Sequence, residues 1–318
     1  MWKYTGTKEC NEFLLSLHLF HCENQKEYIK ALYSLSNNIE ENYKVYRIKK
    51  HNGKYRTIYE PNLFLKHIQR KILENILNNK SISKYATAYH KGISLKDNAI
   101  PHIHKELILK LDIKDFFENI SFLDVYNCCF PIEYFPKSVG MLLTHLCTYE
   151  DDLIQGAPTS AYISNLVMKQ FDEEIGIFCD SNRISYTRYS DDMTFSGDFN
   201  PSEMIAKVRK LLYKMGLELN NDKIYMVHKS FCQNVTGIVV NEKTQVNSKY
   251  RKNIRQEIYY MKKFGLTSHL KKRNINMESL KYLNVLYGKI LYVLQINPDD
   301  EEFREYKKVV SDFKSSFR

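Results

Sequence analysis

Apolar and polar positions alternate over Tyr43-Lys44-Val45-Tyr46-Arg47-Ile48 and again over Tyr55-Arg56-Thr57-Ile58-Tyr59, with Asn52-Gly53 between the two runs. Asn-Gly is favoured in tight hairpin turns because both residues tolerate positive φ. Residues 44–61 therefore predict a β-hairpin, closed by Pro61. Residues 1–40, before it, mix polar and apolar positions in a helical manner, and Leu65, Ile68, Ile72 and Ile76 follow it at helical spacing. Residues 107–113, Leu-Ile-Leu-Lys-Leu-Asp-Ile, form a short apolar strand that delivers an acid at its end. Residues 158–178 predict one long helix with Tyr162, Leu166, Phe171, Ile175 and Phe178 on roughly one face.

Residues 184–196 read as strand, tight turn and strand, with Tyr189-Ser190-Asp191-Asp192 at the tip. Asn200-Pro201-Ser202-Glu203 is a helix start, with Asn as cap and Pro in the first position, and Gly216 ends that helix. Residues 217–240 return to strands. From about residue 250 the pattern is helical, with Leu280, Leu283, Tyr287, Ile290 or Leu291, and Leu294 along one stripe. The order strand, helix, hairpin, helix, strand between 107 and 228 predicts an α+β layer, an antiparallel sheet backed by helices.

Composition adds a class of partner. The 318 residues are 43% hydrophobic, enough for a sizeable core, and carry a formal net charge of +10. Such a surplus favours polyanions, nucleic acid before anionic membrane. Seven cysteines without a C-x-x-C pair suit a reduced, intracellular chain without a structural zinc site. The N-terminus lacks the apolar run of a signal peptide and no stretch is apolar for long enough to span a bilayer, so a cytoplasmic protein without a membrane partner is expected.

Asp112 and the Asp191-Asp192 pair carry the candidate chemistry. An aspartate at a strand end is usually a cap, and an Asp-Asp pair is usually a solvated turn. Here both stand where apolar strands deliver acid at one end. Phosphoryl transfer to a sugar hydroxyl uses two divalent metals about 4 Å apart, and Mg²⁺ prefers carboxylate and phosphate oxygens. Aspartates converging from different strands are the minimal protein site for that chemistry.

Lys110-Leu111-Asp112-Ile113-Lys114-Asp115-Phe116-Phe117 and Tyr189-Ser190-Asp191-Asp192 resemble motifs A and C of the reverse transcriptase palm, and Gln155-Gly156-Ala157-Pro158-Thr159-Ser160 between them resembles motif B. The resemblance implies a right-hand polymerase fold. Fingers fall in 1–104 with an interleaved segment at about 121–157, the palm in 105–240 and a helical basic thumb in 241–318. It implies that Asp112, Asp191 and Asp192, with the backbone of Ile113, hold two Mg²⁺ ions for which Mn²⁺ can substitute. Asp191 is the better candidate of its pair for direct ligation.

The same resemblance makes Phe117 an aromatic gate under the sugar of an incoming deoxynucleoside triphosphate, with Asp115 and Phe116 beside it. Gln155 and Gly156 contact nucleotide and template, Gly156 by allowing close backbone approach. Lys49 or Lys50, with Arg56, holds the triphosphate, and Lys223 protonates the leaving pyrophosphate as a general acid. The plainer readings are a core phenylalanine and solvated hairpin or surface charges.

Lys249, Arg251, Lys252, Arg255, Lys262 and Lys263, interleaved with Tyr250, Tyr259, Tyr260 and Phe264, form the pattern of a helix that tracks a phosphate backbone. In a reverse transcriptase this is the thumb on the template–primer duplex, read by shape. Asn98-Ala99-Ile100-Pro101-His102 and Val235-Thr236-Gly237 match the N-A-x-x-H and V-T-G signatures of retron reverse transcriptases. Taken alone, Asn98 could be a cap, His102 a satisfied core histidine and Gly237 a strand bend. Ser190 replaces the commoner alanine of motif C, and Ile154 and Ala161 stand where proline is frequent.

The resemblance implies an enzyme that copies part of a cognate structured non-coding RNA, of msr-msd type, into multicopy single-stranded DNA. Priming from an internal guanosine 2′-OH gives a 2′,5′ branch. Asn98, His102 and Val235 to Gly237 serve recognition of that RNA. No maturase, endonuclease or RNase H segment is expected, so host RNase H removes RNA and a separate effector protein completes an anti-phage defence system. The alternatives are another bacterial reverse transcriptase, of intron, diversity-generating or abortive-infection type, or a nucleic-acid-bound scaffold that restrains an effector.

Overall fold

The computed structural model describes residues 6–49, 53 and 55–316; Lys50 and Asn52 lie outside the described residues. The chain divides into two compact units. The first comprises Met1–Ile93, Lys110–Thr194 and Phe199–Tyr225, and the second Ser94–Leu109, Phe195–Asp198 and Met226–Arg318.

In the first unit, helices α1 (Thr7–Ser16) and α2 (Gln25–Asn37) precede strands β1 (Tyr43–Lys49) and β2 (Tyr55–Pro61). The strands pair antiparallel from Tyr43 opposite Pro61 to Lys49 opposite Tyr55, as the alternation predicts. Helix α3 (Leu63–Asn75) starts where the Asn62 side chain accepts the Leu65 amide at 2.9 Å, and buries Leu65, Ile68 and Ile72. Ile76 is buried just beyond its end. The short helix α4 (Leu95–Ala99), which belongs to the second unit, leads to strand β3 (Leu107–Asp112). Helices α5 (Phe122–Cys129) and α6 (Lys137–His145) follow.

The single helix expected over 158–178 is two: α7 (Ser160–Val167) and α8 (Lys169–Ser181). Met168, between them, takes ψ −4°. The Ser164 hydroxyl donates back to the Ala161 carbonyl at 2.8 Å, a bond that bends helices. The Asn165 amide is drawn to the Ala88 carbonyl at 2.8 Å. Strands β4 (Ser185–Tyr189) and β5 (Asp192–Gly197) form the hairpin that carries the paired acids. Helix α9 (Pro201–Lys214) is capped by Asn200, which accepts the Ser202 amide at 3.0 Å. Gly216 follows the helix at φ +71°.

The strands expected over 217–240 are short: β6 (Tyr225–His228), β7 (Asn234–Val235) and β8 (Ile238–Val239), with β9 (Gln245–Val246) beyond them. A single turn of 3₁₀ helix occupies Asn221–Lys223. The chain then becomes helical: α10 (Ser248–Phe264), α11 (Leu266–Lys272), α12 (Ser279–Ile296) and α13 (Glu301–Ser315). The buried face of α12 is Tyr282, Leu283, Leu286, Ile290, Val293 and Ile296, so Leu280 and Leu291 of the expected stripe stay largely exposed. The second unit's core joins that face to Val235, Ile238, Val246, Ile254, Ile258 and Phe303.

The central sheet has the order β4-β5-β3-β6, and β7-β8-β9 form a separate antiparallel sheet. The architecture is α+β, with the helices of each unit packed on its strands. No helix among the described residues is long and apolar enough to cross a membrane.

Candidate active site

Sheet order explains how residues far apart in sequence meet. Strand β3 ends on Asp112, and its neighbour β5 begins on Asp192. Ser190 and Asp191 make the turn between β4 and β5, Ser190 in the left-handed region at φ +62°. The Ile113 amide donates to the Asp191 carbonyl at 3.1 Å, tying the turn to the end of β3.

These acids line a cavity of about 470 Å³. Of the residues singled out from sequence, the cavity also gathers Arg56, Ile113, Asp115, Phe116, Phe117, Gln155 and Lys223. Tyr89, Tyr189 and Asn220 complete part of its wall. Phe116 is buried and Phe117 half-buried, their rings 5.4 Å apart. Lys49 is exposed on β1 and is not among the lining residues.

Gly156 has φ +122°, and a Cβ there would lie 2.2 Å from the Tyr59 carbonyl oxygen. The Tyr59 amide donates to the Gln155 carbonyl at 2.9 Å. The absent side chain lets Gly156 pack against the β2 backbone. This contact seats Gln155 beside the hairpin.

Asp112 is held at both carboxylate oxygens. Lys223 Nζ lies 2.6 Å from Oδ2, and Asn220 Nδ2 donates to Oδ1 at 3.1 Å. The Asn220 amide also donates to the Asp112 carbonyl at 2.8 Å. Asn220 was not singled out from sequence; its position three residues before Lys223 was the available signal.

Loss of hydration in the cavity, then the charges of Asp191 and Asp112, push the Asp192 carboxyl up to about 6. Partial burial, then Asp112, raises Asp191 as well. Burial alone would lower Lys223. The hydrogen bond to Asp112 and the three carboxylate charges outweigh it, and Lys223 is raised. For Asp192 the sign is unfavourable to the ionised fold: stability is fullest below the ordinary carboxylate range and is lost as pH rises through about 6. A bound cation reverses that cost.

Hard oxygen donors crowded in a polar cavity, with an ammonium already against one of them, fit a divalent ion such as Mg²⁺. Among the described residues, no group of three or more His, Cys, Asp or Glu side chains stands in metal-holding geometry. Asp112 is engaged by Lys223 rather than grouped with the other two acids around one point.

The basic helix α10 presents its charges unequally. Arg251 reaches Asp300 at 2.5 Å, Arg255 grips Glu302 at 2.5 and 2.7 Å, and Lys262 meets Glu305 at 3.2 Å. Arg251 also lies over the Phe303 ring. Lys263 lies over Tyr259 and Phe264. Lys249 and Lys252 are exposed and carry no acid partner among the described residues. Helix α13 therefore already neutralises part of the face that sequence assigned wholly to nucleic acid.

A salt series separates the two kinds of cation. Lys249→Ala and Lys252→Ala should each reduce the slope of log affinity for RNA against log salt by about 0.7–0.9. Arg255→Ala should leave the slope unchanged and lower Tm, because it breaks an internal pair. A slope flattened equally by Arg255→Ala would mean that the Glu302 pair opens on binding.

The two short signatures meet in the second unit. Asn98 Nδ2 donates to Thr236 Oγ1 at 3.2 Å, and His102 Nδ1 lies 2.7 Å from Ser196 Oγ. Asn98, His102 and Val235 are buried, whereas Thr236 is half-buried and Gly237 exposed. Thr236 and Gly237 have φ +46° and +84°. The surface here is the backbone turn that Asn98 braces, and the Asn98 and His102 side chains are not exposed to a ligand.

Comparison with known proteins accords with this geometry. Residues 48–286 match the family model for reverse transcriptase (RNA-dependent DNA polymerase). The chain is thus a reverse transcriptase, an RNA-directed DNA polymerase. It is 33% identical over 292 residues to the Retron Ec83 reverse transcriptase of Escherichia coli, covering 86% of this chain and 89% of that one. It is 32% identical over 226 residues to the Retron Ec86 reverse transcriptase of the same organism, covering 69% and 70%. The Retron Mx65 reverse transcriptase of Myxococcus xanthus is 27% identical over 281 residues, covering 82% and 62%. Within the class, the chain belongs to the retron reverse transcriptases. Among solved structures, a foamy viral protease-reverse transcriptase in complex with double-stranded DNA aligns with TM-score 0.47 and 14% identity, over 86% of this chain and 39% of that one.

Proposed function

We propose that this reverse transcriptase copies part of a cognate structured RNA of msr-msd type into single-stranded DNA. It starts from an internal guanosine 2′-OH and leaves a 2′,5′ branch. The observation that carries the catalytic part is the shared cavity: Asp112, Asp191 and Asp192 line it with Arg56, Phe117, Gln155 and Lys223. Fingers fall in 1–104 and about 121–157, palm in 105–240 and thumb in 241–318.

Asp112, Asp191 and Asp192 would hold two Mg²⁺ ions, or Mn²⁺ in their place, with the Ile113 backbone beside them. Bound there, the ions would supply activation of the attacking hydroxyl and charge neutralisation at the leaving pyrophosphate. The chain's own residues do the rest. Arg56, with Lys49 or Lys50, draws the triphosphate of a deoxynucleoside triphosphate into the cavity, the planar guanidinium and the compact ammonium suiting that charge differently. Phe117 stands under the sugar, with Phe116 packed behind it. Gln155 contacts the nucleotide and template. Lys223, already protonated and poised on Asp112, gives its proton to the departing pyrophosphate.

The Thr236-Gly237 turn, exposed at Gly237, and the exposed Lys249 and Lys252 of α10 meet the RNA; Asn98 and His102 build the surface from beneath. Host RNase H removes template, and a separate effector protein joins the product complex in defence against phage. The setting is the bacterial cytoplasm.

Expression of the gene with its flanking sequence, followed by extraction of nucleic acid, tests the reading. The expected result is a discrete single-stranded DNA joined to RNA through a bond that debranching enzyme cleaves. DNA without such a bond would contradict branched priming.

A further inference from the structure

Arg188, next to last in β4, is the largest side chain that the described residues bury completely. Removing a guanidinium from water is costly, and apolar side chains often serve a core at least as well. Its hydrogen bonds show what the burial achieves. Nε donates to Asp172 Oδ1 at 2.8 Å and Nη2 to Asp172 Oδ2 at 2.6 Å, a bidentate pair with both side chains at 0% exposure. Nη2 also reaches Asn165 Oδ1 at 3.2 Å. The Tyr186 hydroxyl donates to Asp172 Oδ1 at 2.8 Å. These partners sit on α7, α8 and β4, which are rigid elements.

The remaining arm points forward. Nη1 donates to the Ser190 carbonyl at 2.8 Å. Ser190 is the left-handed residue of the turn, a conformation that L side chains adopt rarely and that surroundings must enforce. The next carbonyl, that of Asp191, accepts the Ile113 amide at 3.1 Å. Two successive peptide planes are therefore each pinned by a hydrogen bond. They are the planes from which the Asp191 and Asp192 side chains depart. The Tyr89 hydroxyl, 3.2 Å from Ser190 Oγ, adds a third restraint.

We infer that Arg188 is a positioning residue: anchored by Asp172 and Asn165, its guanidinium braces the Ser190 carbonyl and so fixes the turn from which the Asp191 and Asp192 carboxylates reach a divalent ion. This rests on the reading of those aspartates as metal ligands. A planar fork is what the task needs. Lysine keeps the charge but offers a single nitrogen, which cannot reach both Asp172 oxygens and the Ser190 carbonyl with fixed directions.

The test uses the full chain with Arg188→Lys. Folding is followed by circular dichroism, Mn²⁺ affinity by electron paramagnetic resonance without nucleic acid, and kcat and KM by primer extension at a temperature where the variant is folded. The expected result is a kcat lower by at least about tenfold, since small misplacements of reacting groups have effects of that order. KM for template–primer should stay within about twofold and Mn²⁺ affinity should fall at least about threefold. A folded Arg188→Lys with wild-type kcat and Mn²⁺ affinity would overturn the inference.

If Arg188→Lys does not fold, Asn165→Ala removes one anchor and leaves no charge unpaired. It should show the same split, weaker Mn²⁺ binding and lower kcat at unchanged KM, to a smaller extent. Wild-type values there would overturn the inference equally. Asp191→Asn serves as control. Loss of Mn²⁺ binding in the control beside wild-type behaviour of a folded Arg188→Lys rejects the bracing role alone. Retention of Mn²⁺ binding in the control rejects the metal reading itself.

Discussion

Asp191→Asn combined with Asp192→Asn is expected to abolish DNA synthesis and leave RNA binding intact. Amide for carboxylate keeps shape and volume, so the turn has no steric reason to move. What disappears is the negative charge that a divalent ion needs. A fall of at least about a thousandfold in kcat, about 4 kcal/mol of transition-state stabilisation, is the expected scale. Stability should move the other way. The two carboxyls are raised by loss of hydration and by their neighbours' charges, so neutral amides relieve a repulsion that the fold sustains for function. Tm should be equal to or above that of the unmodified chain, and RNA affinity in a filter-binding assay should stay within about twofold. DNA product from a folded double variant would end the metal assignment.

Phe117→Ala is expected to admit ribonucleotides. The Phe117 ring lies at the wall of the acid-lined cavity, tilted 59° against the buried Phe116 ring at 5.4 Å. A ring so backed cannot withdraw easily, and a sugar carrying a 2′-OH would meet it. Truncation opens that space and leaves the carboxylates untouched. Deoxy-over-ribo selectivity, measured as the ratio of kcat/KM values in primer extension, should fall by about a hundredfold or more, about 3 kcal/mol. Deoxynucleotide incorporation should persist. Because Phe117 is half-buried, a stability loss of about 1–2 kcal/mol is also expected. Unchanged selectivity would leave Phe117 as a packing residue.

Local signals in the sequence were reliable guides. The hairpin of β1 and β2 follows from alternation, and β3 from an apolar run that ends on Asp112. The β4–β5 hairpin was equally visible, since its two strands are neighbours in sequence. The Asn200 cap and Pro201 marked α9 for the same reason. That the three aspartates would meet followed from the motif order rather than from any local rule.

Features set by distant partners were not legible. The break at Met168 goes with the pull of Ala88 on Asn165, 77 residues away in sequence. Arg251 and Arg255 belong to a dense basic run, and nothing local reveals that α13 answers them from 49 and 47 residues on. Asn98 and Thr236, 138 residues apart, were recognised as separate signatures, but not as hydrogen-bond partners. Arg188, beside the Tyr-Ser-Asp-Asp turn, was not singled out from sequence. It is the one charge in β4, and only Asp172 and Asn165 give it meaning.

If Asp112, Asp191 and Asp192 form one divalent-ion site, equilibrium titration with Mn²⁺ followed by electron paramagnetic resonance shows it most directly. The unmodified chain should bind Mn²⁺ at about pH 7.5. Its affinity should fall about tenfold per pH unit once the pH drops below about 6, where a proton competes for Asp192. Asp191→Asn should bind weakly or not at all across the range. Wild-type affinity in Asp191→Asn, or an affinity flat down to about pH 5 in the unmodified chain, would contradict the account.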